Sequence, residues 1–599
     1  MPNPRSERIF TALAILGAFL APLAATAAAP LAEEPVKIDV RTIPFSCRGS
    51  YWCLTRFDGR SRPAKPIELH HVGAEGARDV VRIEPVVEGR VVEPEYQAIP
   101  ERLRLRWHDA SIDVAFENPR TLRLRGRGLG IRLTVKHPSV LLPVKAGQQR
   151  VVCQPLQGPV IMFVATVLTG SARVVNAAPD RPANQYDHLV LEVTPDGAGA
   201  SEVALEEYLS EWRPRAYDVP FDACVRQRQQ EFAAWLSKMP SLPERDQEAG
   251  RLAMYVNWSH LVEPRGFIRR EGMLMSKTWM PHIWSWDHCF TAIATGYVDP
   301  RLAWEQLMVV FDHQDELGSL PDDIDSEVRR WLAPKVPVHG WALREMMRSG
   351  SVTPGELAAV AEPLRRWTEF RVRYRDDRGL GLIQANSGNE AADNATVYDV
   401  GLPVLAPDLC ALTAVQMDVL AQIARTQGDE EGARTWASRA DRLVERMLAK
   451  LWTGDRFVYP TTYSGATNES AMSFLQCMPI VLGRRLPDGV RARLVETIRR
   501  DLLTEHGIAS ESPRSPLYQS DGYWRGPIWA PVVHLMVTGL RDSGELALAR
   551  EVARRFCDTV RRGGPAENFD AVTGAPLRDP SYTWTSSAFL VLAHEYLAR

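Results

Sequence analysis

Hydrophobic and polar positions follow two different rhythms along this chain, and the change falls between residues 215 and 245. Before it, apolar and charged residues alternate, as in Arg102-Leu-Arg-Leu-Arg-Trp107, Thr121-Leu-Arg-Leu-Arg125 and Ile131-Arg-Leu-Thr-Val135. Strand side chains point to opposite faces in turn, so this period of two predicts strands with one buried face. Short runs of this kind, separated by Gly, Pro and Asp, predict an antiparallel β-sandwich over residues 30–215. Residues 216–245, with Pro220, Pro240 and Pro243, read as a linker.

After the linker the apolar spacing becomes helical. Ala433, Trp436, Ala437, Ala440, Leu443, Val444, Met447, Leu448 and Leu451 form one stripe at helical spacing. Gly428 and Asp429 mark a helix stop and the next cap. Thr353-Pro-Gly-Glu356 has the form of a capping box with proline at the first helical position. Caps and stripes of this kind mark out about a dozen segments, in pairs, over residues 246–599. Six such hairpins suit an (α/α)6 toroid, although counting helices does not by itself close a ring.

Length and charge narrow the class. The chain has 599 residues, too many for a single ordinary core. Its 71 basic and 74 acidic residues nearly cancel, which gives no support for a nucleic-acid partner. Arg5 and Arg8 precede an apolar run from Ile9 to Ala25, followed by small residues. That is the form of a signal peptide over residues 1–29, and it implies a periplasmic or extracellular protein with no membrane association after cleavage. A membrane anchor is the competing reading, but the run is short for a ~20-residue span and Pro22 interrupts it.

Cysteine usage adds little. Eight cysteines in a chain this long do not make a disulfide scaffold. Cys47 and Cys53 lie close enough in sequence to bridge in an oxidising compartment, and two unpaired thiols fit the pattern equally well. No C-x-x-C pair or His/Cys cluster implies zinc, and neither a metal nor a cofactor is expected.

Chemistry-bearing residues gather in the loops between the helical segments. Trp284-Ser-Trp-Asp-His288 leads into a helix, with Asp287 in its first turn. A simple dipole-stabilised cap would explain that carboxylate, but Trp279, Trp284 and Trp286 beside it offer rings that pack on the apolar faces of sugars. Ser387-Gly-Asn-Glu-Ala-Ala-Asp-Asn394 holds Glu390 and Asp393. Asp521-Gly-Tyr-Trp-Arg-Gly-Pro-Ile-Trp529, Gly564-Pro-Ala-Glu-Asn-Phe-Asp570 and Ser581-Tyr-Thr-Trp-Thr-Ser586 complete the set. Each carboxylate alone suits a solvated or capping role; together they suit glycosidic hydrolysis. That reaction needs a protonated acid at the leaving oxygen and a second carboxylate on the other side of the sugar. Loops converging on one mouth of a helical ring would supply both. Asp322, Asp323 and Asp325 form a local acidic group, read as a polar loop or cap ahead of a calcium site or the metal cluster of a terpene-type enzyme.

These strings resemble glycoside hydrolase family 63 and the related mannosylglycerate-hydrolase-like enzymes. The resemblance rests on Tyr523-Trp-Arg-Gly-Pro-Ile-Trp529, with weaker support from 285–290, 318–322, 338–343, 393–396 and 407–409, all in matching order over about 250 to 599. It implies a six-hairpin (α/α)6 glycosidase that inverts at the anomeric carbon and acts on an α-glucoside or related α-glycoside. Carried over by position, Asp393 matches the general acid through the Asn394 that follows it, and Glu567 matches the general base. Trp286, Asp287, Trp341, Tyr523, Trp524 and Arg525 match positions lining the sugar pocket. Trp284, Glu390, Asn394, Trp529 and Trp584 join them from the same loops as candidate substrate contacts. Anchoring the match on Ser387-Gly388 would instead make Glu390 the acid. The partner is an oligosaccharide or small glycoside. A trehalase-like hydrolase and a non-catalytic carbohydrate-binding protein remain as alternatives, and the sugar, the linkage and the oligomeric state are open.

Overall fold

A computed structural model describes residues 34–57, 65–73, 78–145, 147–155, 159–176, 185–390 and 392–598. The signal peptide expected at 1–29 lies outside the described residues. From Trp52 to Glu207 the chain forms two antiparallel sheets, of seven and nine strands among the described residues. The expected strands appear as Arg102–Trp107, Thr121–Arg127 and Gly130–Val135. Leu103, Leu105, Leu122, Leu124, Ile131 and Leu133 are buried in one continuous core. Arginines between them are matched by carboxylates on neighbouring strands: Arg104 pairs with Asp113 at 2.6 Å and Arg132 with Glu192 at 2.7 Å. A one-residue slip would turn the leucines outward, so the alternation sets the register.

The stretch 216–245 is more than the linker it resembles. It holds helix α1 (Phe221–Leu236), which begins directly after Pro220 and buries Phe221, Phe232 and Trp235. Proline before a first helical turn lacks only a donor that no carbonyl would have met, so here the prolines bound a helix.

The remainder is helical: α2 (Gln247–His260), α3 (Asp287–Gly296), α4 (Pro300–Met308), α5 (His339–Ser349), α6 (Pro354–Tyr374), α7 (Pro407–Thr426), α8 (Glu430–Leu451), a 3-10 segment Phe474–Arg485, α9 (Asp488–Thr497), α10 (Ala530–Asp542), α11 (Leu546–Gly563) and α12 (Thr583–Leu592). Thr353 and Glu356 form the expected capping box, and Asp429 accepts from the Gly432 amide at 2.8 Å. Helix α3 packs on α5, α5 on α7, α7 on the 3-10 segment, that segment on α10, and α10 on α12, which itself packs on α3. Helices α3 and α12 are buried along their whole length, whereas α8 is buried only along the stripe seen in its sequence. These are the signatures of an inner and an outer layer.

That arrangement positions the loops. Each chemistry-bearing loop leads into an inner helix: 284–286 into α3, 318–338 into α5, 387–399 into α7, 521–529 into α10 and 564–582 into α12. Short antiparallel ladders tie neighbouring loops together. Trp284 pairs with Asp323, and Trp529 pairs with Asn568, directly after Glu567.

Candidate active site

The ladders and helix starts surround a cavity of about 210 Å³, lined by Trp284, Trp286, Asp287, Asp322, Lys335, Asp393, Tyr523, Trp524 and Trp584, with Met280, Leu332, Asn389 and Tyr582. Aromatic rings make its walls by leaning on one another. Trp524 stacks on Trp529 with centroids 4.1 Å apart and planes 7° from parallel, and Trp286 lies 6.3 Å from Trp524 and 6.2 Å from Trp584. Such packing locks each ring and leaves rigid, partly apolar surface.

Asp393 is half-buried, and its Oδ2 accepts from Trp524 Nε1 at 3.3 Å. Its loop is clamped by Asn394, whose Oδ1 accepts from the Trp524 amide at 3.0 Å and whose Nδ2 donates to the Gly522 carbonyl at 3.0 Å. Gly388 must lack a side chain, because a Cβ there would collide with the Asp393 carbonyl. Tyr523 takes a left-handed φ of 64°, uncommon for a residue with a Cβ, under the guanidinium of Arg578 at 5.0 Å from its ring.

Asp287 opens α3, but it does not serve as a cap. Its Oδ2 is buried without a hydrogen-bond partner among the described residues, as is Trp284 Nε1. Buried polar atoms are ordinarily paired, so an unpaired acceptor and donor in one cavity are suited to a polar ligand. Burial pushes Asp287 up to about 8; Lys335 opposes the rise, and Asp322 and Asp393 add to it. Asp322 is pushed up to about 6 by burial, against the pull of Lys335 at 3.1 Å.

Glu567 is buried and is not among the residues that line the cavity, although Tyr582 and Trp584, which follow it, are. Its amide donates to the Asp579 carbonyl at 2.7 Å, and its carbonyl accepts from Trp584 Nε1 at 2.9 Å. Asp579 is itself held by Thr278 Oγ1 at 2.6 Å and the Ser581 amide at 2.9 Å. Burial pushes Glu567 up to about 8, with Asp579 adding and Arg578 opposing. Burial also raises the Tyr523 phenol, and Glu567, Asp393 and Asp287 each add to that rise. One hydroxyl at the cavity wall thus feels all three carboxyls.

A stability consequence follows. Between its ordinary value of 4.5 and about 8, the folded protein keeps a proton on Glu567 that the unfolded chain has lost. Stability therefore falls as pH rises through that window. Glu567→Gln removes a cost on the order of a few kcal/mol above pH 8. Its melting temperature should exceed the parent's there by about 1–3 °C and match it below pH 4.5, as thermal scans across pH would show.

Several expected contacts are displaced. Glu390 is buried between Arg371 Nη1 at 2.9 Å and Arg375 Nε at 3.1 Å and does not line the cavity. Trp341 is fully buried, donating to Thr538 Oγ1 at 3.0 Å and packing on Phe290 and His534. Trp529 backs Trp524, and Arg525 pairs with Asp399 while its Nε donates to the Asn394 carbonyl at 2.9 Å. These residues, with Asn394, support the wall. The acidic triplet is met by cations: Asp323 and Asp325 by Arg330 at 2.6 and 2.9 Å, and Asp322 by Lys335. All eight cysteines, including Cys47 and Cys53, are buried and unbridged.

Sequence reasoning overlooked Lys335, Leu332 and Met280, which sit in no motif. Asp322 ends the string Gly318-Ser-Leu-Pro-Asp322, and Tyr582 shares a loop with Trp584, so both carried a signal.

A helical scaffold whose loops gather carboxyls among tryptophan rings is the architecture of a carbohydrate-active enzyme, and comparison with known proteins agrees. Residues 280–585 match the sequence profile of the mannosylglycerate hydrolase MGH1-like glycoside hydrolase domain, and the chain belongs to that family. It is 24% identical over 412 residues to the mannosylglycerate hydrolase of Rubrobacter radiotolerans, covering 52% of this chain and 90% of that one. The glucosylglycerate hydrolase of Mycolicibacterium hassiacum is 23% identical over 411 residues, covering 52% and 91%. In fold, a bacterial glucoamylase solved with acarbose aligns over 94% of this chain and 96% of its own, at a TM-score of 0.62 and 11% identity.

Proposed function

We propose that the protein is an exported, inverting α-glycosidase built as a β-sandwich and an (α/α)6 toroid, with Asp393 as general acid and Glu567 as general base. The reading is supported by Asp393 and Asp287 lining a tryptophan-walled cavity, and by Tyr523 at that cavity, whose phenol is raised by burial with the charges of Glu567, Asp393 and Asp287 adding to it. Inverting hydrolysis places an acid on one side of the anomeric carbon and a water-activating carboxylate on the other. Asp393, oriented by Trp524 Nε1, protonates the glycosidic oxygen as the bond breaks. Glu567 takes a proton from the water attacking the opposite face. A buried carboxyl pushed up to about 8 is a stronger base, once ionised, than an exposed one. Asp287, which keeps its proton at neutral pH, donates to a sugar hydroxyl, and Trp284 Nε1 donates to another. Export rests on the leader read at residues 1–29.

The test is product analysis by NMR during turnover of α-glucosides and α-mannosides. It uses enzyme recovered from the periplasmic or extracellular fraction, where the mature chain should begin near residue 30. The first-formed sugar should carry the β configuration. Binding without release of reducing sugar would favour a lectin-like role, and an initial α product would remove inversion.

A further inference from the structure

The cavity is unbalanced in charge. Among the described residues, its lining holds three carboxyls, Asp287, Asp322 and Asp393, and one cation, Lys335. That ammonium is already engaged: it lies 3.1 Å from Asp322 Oδ1 and donates to the Asn389 carbonyl at 2.9 Å. Three arginines on the surrounding loops are likewise matched. Arg330 pairs with Asp323 at 2.6 Å, Arg525 with Asp399, and Arg578 with Asp521 at 2.5 Å. The rest of the lining includes Met280 and Leu332, the latter 73% exposed.

We propose, resting on the glycosidase reading, that this cavity selects an uncharged, hydroxylated aglycone such as a polyol or second sugar and disfavours one bearing a carboxylate. A carboxylate entering here has two choices. It can compete with Asp322 for Lys335, which leaves Asp322 buried and unpaired, or it can sit beside the carboxyls of Asp322 and Asp393 with no cation of its own; both are costly. Hydroxyls face no such conflict, since each donates to a carboxylate or accepts from a protonated one. Burial already pushes Asp287 up to about 8, the response of a site that resists further negative charge. Leu332 and Met280 offer apolar surface to the carbon face of a neutral group. This selectivity differs from that in the names of the relatives, whose glycerate aglycone is a carboxylate.

Pairs of substrates that differ only in that group test it: α-glucosylglycerate against α-glucosylglycerol, and α-mannosylglycerate against α-mannosylglycerol. Calorimetric binding to the Glu567→Gln variant, which retains the cavity, should favour the glycerol member of a pair by at least about tenfold. Equal or tighter binding of the glycerate member, or no binding by any of the four, overturns the inference. Asp322→Asn frees Lys335 and should shift the ratio toward the glycerate member; an unchanged ratio also overturns it. Turnover of the same compounds by the parent enzyme reports separately on the glycosidase reading. Selective binding of the glycerol members without hydrolysis would sink that reading and leave the selectivity standing.

Discussion

Glu567→Gln and Asp393→Asn should each lower kcat on a natural glycoside by about 10²–10⁴-fold, the usual worth of a positioned acid or base. The two variants should part on a substrate with an activated aryl leaving group. Such a group departs without a proton, so Asp393→Asn recovers much of its rate there, whereas Glu567→Gln still lacks the base that prepares the water. The proposed acid–base pair must hold one proton between its two members. Burial pushes Glu567 up to about 8, so kcat/KM should fall above roughly pH 8 as that proton leaves the pair. Full activity in Glu567→Gln, or a rate that stays flat well above pH 8, would remove Glu567 from the mechanism. Equal losses on natural and activated substrates in Asp393→Asn would reassign the acid.

Glu390→Ala is the second change with a large effect, and it acts on stability. Arg371 is fully buried, Glu390 nearly so, and Arg375 contacts the same carboxylate. Burial already pulls the Arg371 guanidinium down to about 10, with Glu390 opposing that fall. Removing the carboxylate strands two guanidinium groups against each other, and breaking a buried pair in this way costs about 3–5 kcal/mol. A melting temperature lower by several degrees, with kcat of the folded fraction near the parent's, is the expected result. A stable variant whose kcat collapses, and recovers on an activated leaving group, would instead restore Glu390 as the acid. The two outcomes separate the alternative matches of the segment 387–394, which differ by only three positions in sequence.

That separation shows where sequence reading ends. Two carboxylates on one short loop look alike as letters. Their surroundings diverge because Arg371 and Arg375, from the end of α6, reach one of them, while Trp524, from the loop before α10, reaches the other. The same holds for tryptophans. Trp286 and Trp341 each stand beside an inner helix start, yet one faces the cavity and the other packs between Phe290 and His534. Lys335 belongs to no motif, and it acquires meaning only because Asp322 and Asn389 lie within reach.

What the sequence determined alone is what depends on neighbours along the chain. The period of two set the strands and their register, the 3.6 spacing set α8 and its buried stripe, and local hydrogen-bonding chemistry set the caps at Thr353 and Asp429. The tertiary structure alone decided which loop residues share a cavity, which carboxylate meets a cation, and that residues 221–236 form a packed helix. Periodicity and capping act over a few residues and are written in order, whereas burial and charge pairing depend on distances between segments that the order of residues does not record.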